Sequence, residues 1–398
     1  MRPAPLLLLA LGVSCGLYAA GAGPAIDRLS VLRESDQPGF EPAQQPRRFD
    51  FPQDHGPHPA FRHEWWYLTG HLRATDGELF GFELTFFRVA LAPPVVTAPG
   101  PGASAWRTRQ VYAAHFAITD VGRGHFFSAT RYARDALGLG HAQALPFAVQ
   151  VGDWSLLQAP DTPLPAAAGL HWQLQAADAD YALHLDLRAD QAPVLNGDAG
   201  LSRKADAPGA ASYYYSMPRL TASGQLRRQG ETLPVAGISW LDREWSSGSL
   251  GARQQGWDWF ALNLTDGSTL MFYALRDEDG SRDAHSAGTF VDAVGHATAL
   301  GNDDVEIQVL RHWDSPRGGT YPAQWKLTVR SLGLELQLTP QLADQELVTQ
   351  PRYWEGAVTA TGARGALPVG AQGYVELVGY AHSQATPIVP NATAPPSH

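Results

Sequence analysis

Cysteine is almost absent from this sequence: Cys15 is the only one among 398 residues, so no disulfide can form within the chain. Charge is thin as well. Charged residues make up 17% of the chain, below the share of about 25% usual in globular proteins. Basic residues number 29 against 39 acidic, a net charge of −10 with no basic run, which leaves no phosphate-neutralising stripe and argues against nucleic acid as a partner. Beyond the N-terminal segment no stretch is apolar enough to cross a bilayer as a helix, and helical hydrophobic periodicity is scarce. There is no H-E-x-x-H helix and no paired-cysteine motif, so His55, His58, His63 and His71 read as polar loop and strand residues, and no metal is expected. Ser239 lacks the second glycine of a G-x-S-x-G elbow, which argues against an elbow-type hydrolase.

Aromatic residues, 40 glycines and 30 prolines are what the chain has in quantity, a mixture that favours strands and turns. At its start, Arg2, the apolar run Leu6 to Leu11 and the small residues after it read as an export signal over residues 1–22, too short to span a bilayer. Two processing sites compete: an A-x-A-like one at Ala20, Gly21 and Ala22, and a degraded lipobox ending at residue 14, which would leave Cys15 for lipid attachment to a membrane. Either way the expected location is periplasmic or secreted. Residues 23–48, rich in proline and glutamine, are expected to be a tether with little structure, and 386–398 a disordered tail.

Between them, short aromatic or aliphatic runs alternate with Asp-Gly, Asn-Gly and proline turns, which predicts an all-β chain. The run Phe61 to Leu72, FRHEWWYLTGHL, is the most telling. With a period of two, His63, Trp65, Tyr67, Thr69 and His71 point one way and Glu64, Trp66, Leu68 and Leu72 the other, so both faces want cover, as in a barrel wall. Asp76-Gly77 predicts a type I′ hairpin joining this strand to Leu79–Phe87, and Asp266-Gly267 a second hairpin joining Trp257–Leu264 to Leu270–Leu275, the hint of a duplicated barrel. Leu91 to Ala105 reads as a long loop over a cavity mouth.

Five segments set one ionisable group among large aromatics: SYYYSMPRL (212–220), GISWLDREW (237–245), GWDWFAL (256–262), RYWEG (352–356) and GYVELVGY (373–380). Desolvation raises the pKa of a carboxyl group in such surroundings, which suits it to be a general acid, and aromatic faces stabilise a developing cation. Such a site fits protonation of a carbon–carbon double bond followed by capture by water. It equally fits binding of a greasy molecule. In LDREW, Asp242 and Glu244 share the face of Trp240, while Leu241, Arg243 and Trp245 take the other. Asp258 faces away from Trp257 and Trp259, and Glu64 is expected in an internal ion pair with Arg88, Arg131 or Arg243. His115, in AAHFAITD, reads as a cavity or core histidine.

Taken together, EWWYLTGHL, AAHFAITD, SYYYSMPRL, SWLDREW, WDWFAL and YWEG resemble the exported AttH and carotenoid 1,2-hydratase (hydroxyneurosporene synthase) superfamily over roughly residues 49–385. The resemblance implies two tandem lipocalin-like β-barrel domains with few helices, 49–235 and 236–385, and an aromatic pocket near their junction for a hydrophobic, isoprenoid or lipid-like molecule. It implies acid–base chemistry without a cofactor, hydro-lyase-like or hydrolase-like, with Asp242 as leading acid and Trp245, Tyr273 and Asp258 as catalytic candidates. Trp65, Tyr67, His115, Tyr214, Trp257, Trp259, Arg243 and Glu64 are then the ligand-binding candidates. Arg243 stands where the hydratases are expected to carry histidine; arginine anchors rather than shuttles protons, so a carrier accessory to a transporter is the alternative reading.

Overall fold

The computed structural model describes residues 38–94, 108–160, 170–189, 191–349 and 352–381. Cys15, the export signal, most of the 91–105 loop and the tail at 386–398 lie outside them. Two antiparallel sheets, here barrel 1 and barrel 2, divide the described chain. Barrel 1 takes β1 (His63–Ala74), β2 (Leu79–Ala90), β3 (Gln110–Asp120), β4 (His125–Arg134), β5 (Gly140–Gln143), β6 (Ala148–Val151), β7 (Trp154–Gln158), β8 (Leu170–Ala177), β9 (Tyr181–Ala189), β10 (Val194–Leu195), β11 (Leu201–Arg203), β12 (Ala211–Arg228) and β13 (Glu231–Ser246). Barrel 2 takes β14 (Gln254–Leu264), β15 (Thr269–Asp277), β16 (Ala287–Val291), β17 (Ala297–Leu300), β18 (Val305–Asp314), β19 (Thr320–Val329), β20 (Leu334–Pro340), β21 (Glu346–Leu347), β22 (Tyr353–Arg364) and β23 (Leu367–Val378). Among the described residues the only helices are three single 3₁₀ turns.

Both sheets follow one plan. In barrel 1 the strand order is β4-β3-β2-β1-β13-β12-β9-β8-β7-β6-β5, and in barrel 2 it is β17-β16-β15-β14-β23-β22-β20-β19-β18. In each, the first strand pairs with the last, and the two free edges are consecutive in sequence. That is a meander curled on itself with one seam open. In barrel 1 the edge strands β4 and β5 touch across the seam. The expected all-β, lipocalin-like pair of barrels is therefore the fold observed.

Three details depart from expectation. The sheet changes after Ser246, not at residue 235, because the LDREW strand is hydrogen-bonded between β1 and β12 and closes barrel 1. Neither Asp-Gly hairpin is type I′: Gly77 alone of its pair has positive φ (+96°), and its N–H reaches Ala74 O at 2.9 Å while Ala74 N–H reaches Glu78 O. This is a type I turn with a left-handed glycine bulge, repeated at Leu264–Ser268 with Gly267 at +91°. Residues 38–48 do not hang free: Ala43 is fully buried, and the carbonyls of Glu41 and Gln45 accept bonds from Ser247 and Tyr213.

The strand alternation holds. Trp66, Leu68 and Leu72 enter the barrel 1 core beside Phe82, Leu84 and Leu241, and a second core of Phe260, Leu262, Trp325 and Leu336 fills barrel 2. The opposite faces of the same strands meet in a third cluster, with Tyr67, Tyr214 and Trp240 from barrel 1 against Trp259, Tyr273, Tyr353 and Tyr374 from barrel 2. The double-sided strand thus finds cover on each side: its own barrel and the neighbouring one. Within β12 the register slips between Met217 and Leu220, where Pro218 has no N–H to give the ladder.

Candidate functional site

Alternation along β13 sends Trp240, Asp242 and Glu244 out of barrel 1 into this junction. Antiparallel register then sets Tyr67 of β1 and Ser216 of β12 on either side of Asp242, and Trp65 and Tyr214 on either side of Glu244. Asp242 is buried, and its oxygens accept from Tyr214 Oη at 2.5 Å, Ser216 Oγ at 2.5 Å and Trp240 Nε1 at 2.7 Å. No cation pairs with it among the described residues. Burial outweighs those three donors and, with Glu244 nearby, pushes the Asp242 pKa up to about 7. The donors are themselves oriented: Trp259 Nε1 donates to Tyr214 Oη (3.2 Å), and Asn196 Nδ2 donates to Ser216 Oγ (2.8 Å).

Glu244 is treated differently. Ser212 Oγ donates to it and Lys204 Nζ lies 3.5 Å away, while the same ammonium sits 3.6 Å over the Tyr273 ring. Tyr273 Oη in turn bonds Ser202 Oγ at 2.8 Å.

Barrel 2 supplies the facing wall. Tyr67 donates to Glu355, which stands directly opposite Glu376 across β22 and β23. Burial, reinforced by Glu376 and Glu83, holds the Glu355 carboxyl well above the ordinary range. Its second oxygen and both oxygens of Glu83 are buried without a hydrogen-bond partner among the described residues. Glu376 accepts from Trp257 Nε1 at 3.1 Å, and its pKa is pushed up to about 7 by burial, against that bond and with help from Asp242 and Glu244. The Trp259 ring lies edge-on to Tyr67, centroids 5.0 Å apart, and to Trp240 at 6.3 Å. His115 Nδ1 and Tyr353 Oη are 2.5 Å apart across the barrels.

The structure therefore gathers Asp242, Tyr273, Trp65, Tyr67, His115, Tyr214, Trp257 and Trp259 at the junction. It separates four other expected residues from it. Arg243 points into barrel 1, stacks 3.8 Å over Trp66, bonds the carbonyls of His55, Gly56 and Trp65, and reaches Glu64 at 2.7 Å. Glu64 is held by Arg88 as well, as an internal ion pair. Trp245 shares that inner face, its ring stacked on His58 at 3.7 Å, so strand parity places it away from Asp242. Asp258 is bound by Arg276 (3.0 Å) and Tyr380 on the inner side of barrel 2. The junction also holds Glu355, Glu376, Ser216, Trp240, Lys204 and Glu83, none of them among the residues expected there. Glu355 and Glu376 lie in RYWEG and GYVELVGY, segments that set an acid among aromatics; Lys204 carries no such signal.

A cleft beside these rings, between Thr69, His71, Trp240, Asn263 and Tyr374, has a volume of about 10 Å³, room for one water molecule. Among the described residues no group of three or more His, Cys, Asp or Glu side chains is arranged to hold a metal ion.

A pair of curled lipocalin-like barrels that buries unpaired acids between facing aromatic walls defines the class of protein. The chain belongs to the AttH-like family, which it matches over residues 42–380. A solved AttH-type structure from Nitrosomonas europaea is 36% identical, with a TM-score of 0.73, over 86% of this chain and 100% of that one. The kievitone hydratase of Nectria haematococca shares the fold at 17% identity, TM-score 0.63, covering 86% of this chain and 98% of its own. In sequence, the chain is 21% identical over 294 residues to the dehydratase asqC of Emericella nidulans, 66% of this chain and 82% of that protein.

Proposed function

We propose that this protein is an exported hydro-lyase-like enzyme that adds water to, or removes it from, an isoprenoid or lipid-like molecule at the barrel junction, with Asp242 as the acid and no cofactor. One observation carries the reading: a buried carboxyl group without a cation, its pKa near 7, faces aromatic rings. In hydration the protonated Asp242 gives its proton to one carbon of a double bond. The cation formed at the other carbon lies against the rings of Tyr67, Trp240 and Trp259, and water captures it; dehydration is the reverse. The names of two relatives, a hydratase and a dehydratase, support this class of reaction.

Arg243 does not weaken the reading, because it serves Glu64 on the other face of its strand. The narrow cleft adds a requirement: substrate enters only when the two aromatic walls part. Export rests on the N-terminal signal, as does any lipid anchor at Cys15.

The test is to extract apolar molecules that co-purify with the protein, then assay them and a panel of isoprenoid alkenes and tertiary alcohols in ¹⁸O-water by mass spectrometry. Label incorporation that D242N abolishes is the expected result. A molecule that co-purifies and is never altered would make the protein a carrier, accessory to a transporter. A junction that takes up none of these molecules would overturn both.

A further inference from the structure

Hydration needs a proton acceptor as well as a donor, because the water that captures the cation must lose a proton, and an acceptor other than Asp242 lets water attack from the opposite wall. We propose that Glu376 is that acceptor, so that each barrel supplies one of two catalytic carboxyl groups, Asp242 from β13 and Glu376 from β23. The inference rests on the reading of Asp242 as the acid.

The geometry joins the two groups through one tryptophan. Trp259 stands directly opposite Glu376 in the β14–β23 register, and its Nε1 donates to Tyr214 Oη, which donates to Asp242. Among the described residues Glu376 accepts from the Trp257 indole alone and meets no cation, and its side chain keeps some contact with solvent where Asp242 is enclosed. A base that must exchange its proton with solvent belongs at such an edge. The other ionisable groups facing the pair do not compete for the role. Glu244 and Lys204 neutralise each other, Glu355 is committed to Tyr67, and Glu83 lies fully enclosed. Tyr214 is held well above its ordinary range by burial and by Asp242.

Like charges so placed resist ionising together, and Asp242 helps to raise the pKa of Glu376. In the forward step the Asp242 O–H bond breaks and a C–H bond forms with the alkene electron pair. The water oxygen bonds the cation, and its proton passes to Glu376. Nothing is oxidised or reduced. Asp242 ends ionised and Glu376 protonated, and exchange with solvent at Glu376 and along the Tyr214 hydroxyl resets the pair.

The experiment has a substrate-free arm and a turnover arm. In the first, the full chain with ¹³C-labelled Asp and Glu carboxyls is titrated by NMR from pH 5 to 9, alongside D242N and E376Q. Each substitution should lower the midpoint of the remaining group by about one pH unit; midpoints that do not move overturn the pair. In the second, an isoprenoid tertiary alcohol and its alkene are followed in ¹⁸O-water. E376Q should lower turnover about 100-fold and remove the low-pH limb of kcat/KM, E376D should restore that limb, and D242N should remove turnover altogether. If D242N abolishes turnover but E376Q keeps both limbs, Glu376 is not the base and the assignment of Asp242 stands. Unchanged turnover in D242N overturns the underlying reading instead.

Discussion

Aligned on their first strands, Glu64-Trp65-Trp66-Tyr67-Leu68 of barrel 1 matches Asp258-Trp259-Phe260-Ala261-Leu262 of barrel 2, and each barrel sends that first acid inward to an arginine of its second strand, Arg88 or Arg276. The outward tryptophans, Trp65 and Trp259, stand opposite Glu244 and Glu376 on the last strands. Equivalent outward positions thus carry an acid in both halves, but Glu244 has Lys204 beside it whereas Glu376, among the described residues, has only an indole N–H. The inward pairs repeat because each barrel needs its buried charge neutralised. The outward acids differ in their partners, and the proposed base is the one without a cation among the described residues. Repetition between the halves therefore marks structure, and asymmetry marks the site.

The sharpest way to break this comparison is to remove an inward cation. R243M leaves Glu64 short of one of its two arginines in an enclosed site and should cost about 3–5 kcal/mol in urea unfolding, without moving any junction titration. Next comes the pH dependence of Asp242. Its pKa is about 7 folded against an ordinary 3.8, so the folded state holds the proton more tightly, and this stability is full below pH 4 and lost as pH rises toward 7. Unfolding measured at pH 4 and pH 8 should show the wild type losing about 4 kcal/mol more than D242N across that window; equal slopes would mean the carboxyl is not desolvated. R276M should cost less than R243M, about 1–3 kcal/mol, since Tyr380 still donates to Asp258 and the site is partly exposed. The smallest effect tests the seam between the barrels. Y353F, which removes the bond to His115, should cost about 0.5–1.5 kcal/mol in thermal unfolding, and a larger loss would mean the junction carries more of the fold than its barrels do.

Much of this was legible in the chain. The split of His63–Leu72 into two faces, the shared face of Asp242 and Glu244, and the Glu64 ion pair follow from strand parity, a local property. Parity also shows why Trp245 was misplaced when carried over by resemblance: it is three residues from Asp242, and an odd separation on a strand means opposite faces. Glu83, in the run FGFELTFF, carries the same signal of an acid among aromatics. Lys204 was invisible, because it reaches Glu244 from 40 residues earlier in the chain, after the short β11. The docking of residues 38–48 was equally hidden, since it depends on backbone carbonyls that any sequence possesses.

By itself the sequence determined that this protein is an all-β chain with two Asp-Gly hairpins and aromatics on both faces of its first strand, because side-chain alternation and turn chemistry act over a few residues. Tertiary structure alone decided that the second aromatic face would meet the other barrel, and that Asp242 and Glu376 would lie at that junction without a paired cation among the described residues while Glu244 received one. The physical reason is that desolvation and charge pairing sum over every segment that packs against a group, and those segments are scattered along the chain.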